Sequence, residues 1–236
     1  MSDDEASWHQ LSEEWRGAIA AAGLGDRVVI ADDDRLHVVE LADGSYRPVG
    51  EHHWHPRALT TAAGAIVVLD SEGLSRVDPE TGAFTRFTDR WDDVVGLAGL
   101  GDAVYLIAVG SLYRVPLDGG EVEELASGYG GTIGFAAAAG TLVSIERSGT
   151  MYRVSPDDGS YEQLDEGWTE ARLLAGDADR LYVIADDALF AVDPHDGACT
   201  PLGHGCGAMT VMAAARGALA VVSAQGTLFR VEAPAA

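Results

Sequence analysis

Residues 111–125, "SLYRVPLDGGEVEEL", recur in varied form along the whole chain. The related segments are "RLHVVELADGSYRPV" at 35–49, "GLSRVDPETGAFTRF" at 73–87, "TMYRVSPDDGSYEQL" at 150–164 and "ALFAVDPHDGACTPL" at 188–202. A shortened sixth copy, "TLFRVEAPAA", occupies 227–236. Glycines mark the same turn in the five full copies: Gly44, Gly82, Gly120, Gly159 and Gly197. A fixed period of 38 or 39 residues predicts a repeat architecture.

Each repeat is predicted to form four short strands. In the fifth repeat we place them at 171–175, 180–185, 188–192 and 198–202. The connections "GDAD", "DD" and "DPHDG" are typical of tight turns, because Asp and Pro start turns and Gly accepts a positive φ. Alternation in "LYRV" indicates strands with two distinct faces. The fourth strand fits less well, since its apolar residues fall three apart, and a bulge or an early strand end would explain this.

Four strands in about 38 residues predict an all-β fold, a six-bladed β-propeller of four-stranded blades. The sixth repeat ends after its third strand, whereas the N-terminal "SWHQLSEEW" resembles "SYEQLDEGW" at 160–168. We therefore expect Trp8 to Leu11 to supply the missing fourth strand and close the ring, which removes a free sheet edge. Residues 1–236 are expected to form a single propeller domain.

Composition restricts the classes of partner. The formal net charge is −23, and all 15 cationic side chains are arginine. Such a surface repels phosphate backbones, so neither nucleic acid nor an anionic membrane is an expected partner. The acidic N-terminus does not resemble a signal peptide, and Cys199 and Cys206 are too few for a disulfide framework. A monomeric, cytoplasmic protein without a resident cofactor is expected.

The repeats resemble known short-blade propeller families. "LYRVPLDGGEVEEL" resembles the blade repeats of TolB-like propellers, and "LFAVDPHDGACTPL" is similar to PQQ-like repeats. The resemblance covers nearly the whole chain and implies the architecture. Such propellers include scaffolds, periplasmic assembly factors, lectins and hydrolases, so it implies no single activity. No catalytic motif of these families is present to be transferred to residues of this chain.

An aromatic residue recurs where one repeat passes into the next. This junction column consists of Trp15, Trp54, Trp91, Tyr129, Trp168 and Cys206. Packing between blades is the favoured interpretation, because aromatic side chains are usually buried. The alternative is a ring of platforms for sugars or cations, with nearby arginines as polar partners. Arg57 and Arg172 stand near the predicted channel among small apolar residues, where either could hold an anionic ligand.

The junction "EHHWHPR" at 51–57 raises the question of a metal site. It contains one more residue than the other junctions, with ten steps from turn glycine to Trp54 instead of nine. In an extended segment His53 and His55 project to one side and His52 to the other. Two ligands are fewer than the three or four that zinc requires, so solvated or stacked histidines, adventitious metal binding and a divalent metal site all stay open.

The function favoured by the sequence is a non-enzymatic binding or protein-interaction module. Its ligand face would carry the Trp and His junctions, with Trp15, Trp54, Trp91, Trp168, Arg57 and Arg172 as candidate ligand-binding residues. The ligand could be a protein, a small molecule or a sugar. Two alternatives remain: a metal-assisted hydrolase or lyase at the channel mouth, and a lectin that uses the aromatic column. Motifs of serine hydrolases, P-loop proteins and zinc proteases are absent from the sequence.

Overall fold

The computed structural model describes residues 6–232, and within this range the chain forms strands and turns without a helix. The strands of the first three repeats are β2 (Ala18–Leu24), β3 (Arg27–Asp32), β4 (Arg35–Glu40), β5 (Tyr46–Pro48), β6 (Ala58–Ala62), β7 (Ala65–Leu69), β8 (Leu74–Val77), β9 (Phe84–Arg86), β10 (Val94–Leu100), β11 (Ala103–Ala108), β12 (Ser111–Pro116) and β13 (Glu123–Ser127). Those of the last three, with the N-terminal strand, are β14 (Thr132–Ala138), β15 (Thr141–Glu146), β16 (Met151–Val154), β17 (Tyr161–Asp165), β18 (Ala171–Gly176), β19 (Leu181–Ala185), β20 (Ala188–Val192), β21 (Cys199–His204), β22 (Met209–Ala215), β23 (Ala218–Ser223), β24 (Leu228–Glu232) and β1 (Ser7–Ser12).

The strands form six four-stranded antiparallel sheets, which are the blades. Blades 1 to 5 are β2–β5, β6–β9, β10–β13, β14–β17 and β18–β21, each with its strands in chain order. Blade 6 has the order β1-β24-β23-β22. The first strands of successive blades contact one another around the whole ring, including β2 with β22. This confirms the predicted six-bladed propeller, with the first strand of each blade innermost.

The N-terminal strand closes the ring. β1 pairs antiparallel with β24, Trp8 opposite Val231 and Gln10 opposite Phe229. The indole of Trp8 also packs edge-on against the Phe229 ring, with centroids 5.8 Å apart. The predicted closure is confirmed, and the strand is slightly longer than the expected segment.

The fourth strands are irregular, as their residue pattern predicts. β9 ends at Arg86, before Phe87. In blade 4 the ladder between β16 and β17 shifts register between Met151 and Tyr152. An early strand end and a bulge therefore both occur, in different blades, and each re-aims the chain toward the next junction.

Six apolar clusters hold the blades together, and they lie mainly between neighbouring sheets. The cluster between blades 1 and 2 joins Val38 and Val49 of blade 1 to Ile66 and Val77 of blade 2, around Trp54. Because successive strand residues point to opposite faces, each blade supplies one set of side chains to each neighbour. The second strands, with both faces covered, are almost entirely buried.

The connections are divided between two faces of the ring. The junctions between blades and the turns between second and third strands lie together on one face, which we call the junction face. The turns between first and second and between third and fourth strands lie on the opposite face. Nowhere in residues 6–232 is there a helix with the length and apolar character needed to cross a membrane.

Candidate functional site

Backbone hydrogen bonds of the junction column fasten most blades to their predecessors. The N–H of Trp54 donates to the Asp34 carbonyl at 2.7 Å, which lies in the second-to-third turn of the previous blade. Equivalent bonds are Trp15 to Gly226, Tyr129 to Gly110, Trp168 to Gly149 and Cys206 to Asp187. Within the described range, Trp91 is the column member for which no such bond is found. Five junctions thus have a backbone bond to the preceding turn, whereas the Trp91 carbonyl is bonded by the Arg57 side chain.

Most column side chains are buried between blades. Trp15, Trp54, Tyr129, Trp168 and Cys206 are all buried. Residues of the third and fourth strands cover the rings: Trp15 contacts His37 and Tyr46, with centroids 5.5 and 5.0 Å away. Buried rings of this kind have no free face on which a sugar could stack.

Three of the tryptophans share one hydrogen-bonding pattern. The indole Nε1 donates to a side chain three residues earlier, in Trp15 to Ser12, Trp91 to Thr88 and Trp168 to Asp165, at 2.8 to 3.1 Å. The additional residue in "EHHWHPR" puts Glu51 at this position before Trp54, and the buried Nε1 of Trp54 has no partner in the described part of the chain. His52 instead packs against Trp54, with centroids 4.5 Å apart.

Trp91 is the least covered tryptophan of the column. It contacts Tyr113 of the third strand at a centroid distance of 5.1 Å and is only partly buried. The position two residues after the turn glycine, which holds Tyr46 in blade 1 and Phe84 in blade 2, is occupied in blade 3 by Val122. A smaller cover leaves part of the Trp91 ring in solvent.

Arg57 and Arg172 both hold junction carbonyls. The Arg57 guanidinium donates to the Trp91 carbonyl at 3.0 Å. That of Arg172 donates to the Cys206 carbonyl at 3.1 Å and to the Asp186 carbonyl at 3.2 Å. The two lie in blades 2 and 5, on opposite sides of the ring, and each reaches the following blade. An anionic ligand at the channel mouth would have to compete with these bonds.

The three clustered histidines have different surroundings. His53 is bonded through Nδ1 to the Asp34 carboxylate, and its Nε2 lies 3.1 Å from the Arg35 guanidinium. His52 lies between Trp54 and Phe84, and His55 is exposed. No group of three His, Cys, Asp or Glu side chains suited to a metal is found among residues 6–232. Both ring nitrogens of His53 are engaged by protein groups.

Bulges shape the mouth of the channel on the junction face. In five innermost strands the ladder skips the second residue, which is Ile19, Val95, Ile133, Arg172 or Thr210. The ladder of β6 is regular, so blade 2 has no such residue. The bulges turn two large apolar side chains outward: Ile19 is 49% exposed and Val95 is 54% exposed.

Val109 adds a second exposed apolar side chain beside Val95. The ladder of blade 3 pairs Val94 with Ala108, so the bulge and the following turn adjoin. Val109 is 74% exposed and has φ +50°, and Gly110 follows with φ +78°, as in a type I′ turn. Blades 1 and 5 have Asp33 and Asp186 at this position, residue types that tolerate a positive φ. A β-branched residue here is strained by about 1–2 kcal/mol.

We call Trp91, Val95 and Val109 the blade-3 patch. Carboxylates flank it in the same junction, where Asp92 pairs with Arg90 at 2.7 Å and Asp93 is exposed. The repeat pattern predicts Trp91 as a candidate residue but not the two valines. The sequence does single out Val109, because this valine precedes Gly110 in a turn where two other repeats have aspartate.

The channel is narrow, and its lining is mostly apolar. Its central cavity of about 130 Å³ is lined by small and apolar residues of all six first strands, among them Ala21, Leu97 and Phe135. The side chain of Thr61 bonds the Gly23 carbonyl of blade 1, so one of the few hydroxyls there is already engaged. The cavity is below the roughly 300–1,000 Å³ usual for small-molecule sites.

Three of the groups with perturbed pKa values are packed between blades. Burial lowers the pKa of His37, and the nearby Arg35 adds to this while Asp32 opposes it. Burial, with the adjacent Asp33, raises the pKa of Asp32. Burial also raises the pKa of Tyr129 to about 12, where its hydroxyl donates to the Gly159 carbonyl at 2.8 Å. These groups pack between blades and do not surround a common cavity.

Comparison with known proteins yields structural neighbours only. No protein-family model matches the sequence, and neither does any curated protein. A structural genomics protein of unknown function from Bacteroides thetaiotaomicron superposes with a TM-score of 0.69 at 14% identity, covering 98% of this chain and 72% of that one. An auxiliary nutrient binding protein from the same organism has a TM-score of 0.66 at 8% identity, with 94% and 70% covered.

Virginiamycin B lyase from Staphylococcus aureus matches this chain from end to end. Its TM-score is 0.63 at 9% identity, and the alignment covers 97% of this chain and 99% of the lyase. Identities this low indicate shared architecture, on which many activities are built. By its fold, the chain is a six-bladed β-propeller.

Proposed function

We propose that this protein is a non-enzymatic protein-interaction module that docks its partner on the blade-3 patch of the junction face. The observation that carries the proposal is Val109, an apolar side chain that is 74% exposed at φ +50°. Strain at an exposed position has no packing benefit to offset it, and residues held in unfavourable backbone regions cluster at functional sites.

The surroundings of Val109 fit a protein partner better than a small ligand. Val95 and the partly buried Trp91 extend the apolar surface within the same blade. Tryptophan is among the residue types enriched at interface hot spots. The flanking carboxylates favour a partner that presents cationic side chains around an apolar residue.

The test uses partners isolated from extracts of the source cells with the wild-type protein. Each purified partner is then titrated against wild type, Val109→Asn, Val95→Ser and the control Val122→Ser by calorimetry. Val122 is a valine of the same blade, 39% exposed, and lies just before the outer strand β13. We expect both patch variants to weaken binding about tenfold or more, as truncated interface anchors do. Equal affinity for all four proteins, or no partner, would contradict the proposal.

A metal-assisted hydrolase or lyase is the second candidate, favoured by one observation. The contact between His53 Nδ1 and the Asp34 carboxylate orients an imidazole on the junction face, as a carboxylate does for a metal-ligating histidine. Arg35 would have to leave Nε2 before a metal could bind there. Thermal melts with zinc, manganese or EDTA test this: a metal-dependent rise in Tm that is lost in His53→Ala supports the candidate. The same melts with simple sugars test a lectin.

A further inference from the structure

The boundary between blades 2 and 3 contains a groove on the face opposite the junctions. Its volume is about 620 Å³, within the roughly 300–1,000 Å³ range of ligand sites. Pro79 and the 43%-exposed Phe84 contribute apolar walls from blade 2, and Pro116 and Leu117 contribute them from blade 3. Two prolines make these walls stiff, because the pyrrolidine ring fixes φ.

At the preceding boundary, between blades 1 and 2, two arginines span the corresponding space. Arg27 binds one carboxylate oxygen of Glu80 at 3.0 Å, and Arg47 binds the other at 2.6 Å. Arg47 also donates to the Pro79 carbonyl at 3.0 Å. Blade 1 therefore binds the turn between the third and fourth strands of blade 2 through two guanidinium groups.

One boundary later, both arginines are replaced by short side chains. The equivalent positions follow from the strands, since Arg27 and Ala65 begin β3 and β7, and Arg47 and Thr85 are the second residues of β5 and β9. The acid is kept, because Glu80 and Asp118 each stand two residues before the turn glycine. Ala65, Thr85 and Asp118 all line the groove.

Asp118 therefore lacks the partners that Glu80 has. Its Oδ1 accepts the backbone N–H of Gly120 at 3.0 Å, and among residues 6–232 no arginine lies within salt-bridge distance of its carboxylate. Arg76, the one arginine that lines the groove, donates to the Leu117 carbonyl at 3.4 Å. Asp78 and Asp102 also line the groove, and of these two Asp102 lies 3.8 Å from the Arg114 guanidinium.

We propose that this groove binds an arginine-bearing peptide segment of a partner protein, whose guanidinium pairs with Asp118 as Arg27 and Arg47 pair with Glu80. The planar fork of a guanidinium suits a carboxylate, and the aliphatic part of arginine packs well on apolar walls. The net charge of −23 attracts cationic segments to this surface. The site is on the other face from the blade-3 patch and does not depend on it.

Two short peptides provide the probe. N-acetyl-Leu-Arg-Leu-amide is titrated into the full-length protein and followed by NMR and calorimetry, alongside the same peptide with citrulline in place of arginine. Citrulline keeps the shape but removes the charge. We expect the arginine peptide to bind about tenfold more tightly, since a close charge pair is lost in the other. Its affinity should also fall as salt is raised.

Variants locate the site. Asp118→Asn keeps the turn acceptor but loses the charge, so binding of the arginine peptide should fall to that of the citrulline peptide. Asp196→Asn is the matched control, because Asp196 lies in the same turn of blade 5 and accepts the Ala198 N–H at 2.8 Å. The double variant Ala65→Arg with Thr85→Arg should fill the groove from within and abolish binding.

Several results would overturn this proposal. They are equal affinity for the arginine and citrulline peptides, equal weakening by Asp118→Asn and Asp196→Asn, unchanged binding to the double variant, and no binding of the arginine peptide at millimolar concentration. Val109→Asn should leave the peptide affinity unchanged. A failure of the groove is therefore distinguishable from a failure of the junction-face proposal.

Discussion

The guanidinium of Arg57 donates to the backbone carbonyl of Trp91 at 3.0 Å and ties blade 2 to the following junction. Three blades away, Arg172 makes the same kind of bond to Cys206. Trp91 is the column residue for which no backbone bond to the preceding turn is found in the described range. Arg57 is thus a positioning residue for the most exposed tryptophan of the column.

Replacement of Arg57 tests this role. Arg57→Ala should lower the free energy of unfolding by about 1 kcal/mol, the usual net value of one hydrogen bond, and lower Tm by about 2–4 °C. Arg90→Ala is the control, since within residues 6–232 the side chain of Arg90 forms an exposed ion pair with Asp92 alone, a kind of pair that contributes little. Similar losses in the two variants, measured by thermal melts, would argue against the role.

Relief of the strain at Val109 should stabilise the protein. Asn accepts a positive φ far better than valine, so Val109→Asn should raise the free energy of unfolding by about 1 kcal/mol. The reciprocal change, Asp33→Val, puts valine at φ +50° in blade 1 and should destabilise by a similar amount. Chemical denaturation of both variants measures the effect, and a Val109→Asn protein no more stable than wild type would be inconsistent with strain.

The indole N–H of Trp54 should contribute less to the free energy of unfolding than that of Trp168, the equivalent tryptophan before blade 5. Trp168→Phe removes the bond from Nε1 to Asp165, whereas Trp54→Phe removes a buried donor that has no partner in the described part of the chain. Both variants lose similar volume. We expect Trp168→Phe to cost about 1 kcal/mol more than Trp54→Phe in unfolding free energy. The opposite order in urea titrations would contradict the assignment.

Removal of the closing strand should affect the whole ring. Deletion of residues 1–12 takes away β1 and leaves β24 as an unpaired edge. We expect a fall in Tm well beyond the about 2–4 °C typical of losing 1 kcal/mol, or loss of cooperative unfolding. Deletion of residues 1–5, which keeps all of β1, is the control. An unchanged melt for the longer deletion would be incompatible with closure by β1.

The lowered pKa of His37 predicts a pH dependence. Its pKa is held below the ordinary value of 6.5 by burial, so folding favours the neutral ring. The stability due to the neutral form is present above about pH 6.5 and is lost as the pH falls through the folded pKa. His37→Tyr, which copies Tyr113 and Tyr152 at equivalent positions, should lose less stability than wild type between pH 7.5 and 5.5. Denaturation at both pH values measures this difference.

The fold was accessible from the sequence because its signals are local. Strand alternation and turn residues lie within each repeat, and the 38-residue period relates one repeat to the next. Together they predict the blades, their number and the closing strand. In blade 5 the predicted 188–192 strand agrees with β20, and the predicted 180–185 strand begins one residue before β19. The candidate residues were found as a column for the same reason.

Side-chain exposure and pairing depend on contacts between residues that are far apart in the sequence and lie in neighbouring repeats, so the junction column does not predict them. Trp15 is buried and Trp91 only partly buried because the residue some thirty positions later is Tyr46 in one blade and Val122 in the other. The partners of Arg57 and His53 likewise lie in another blade. The period and the turn residues of this sequence by themselves determined a closed ring of six blades. Which side chains on it stay free to meet a partner was settled only when packing brought neighbouring blades together.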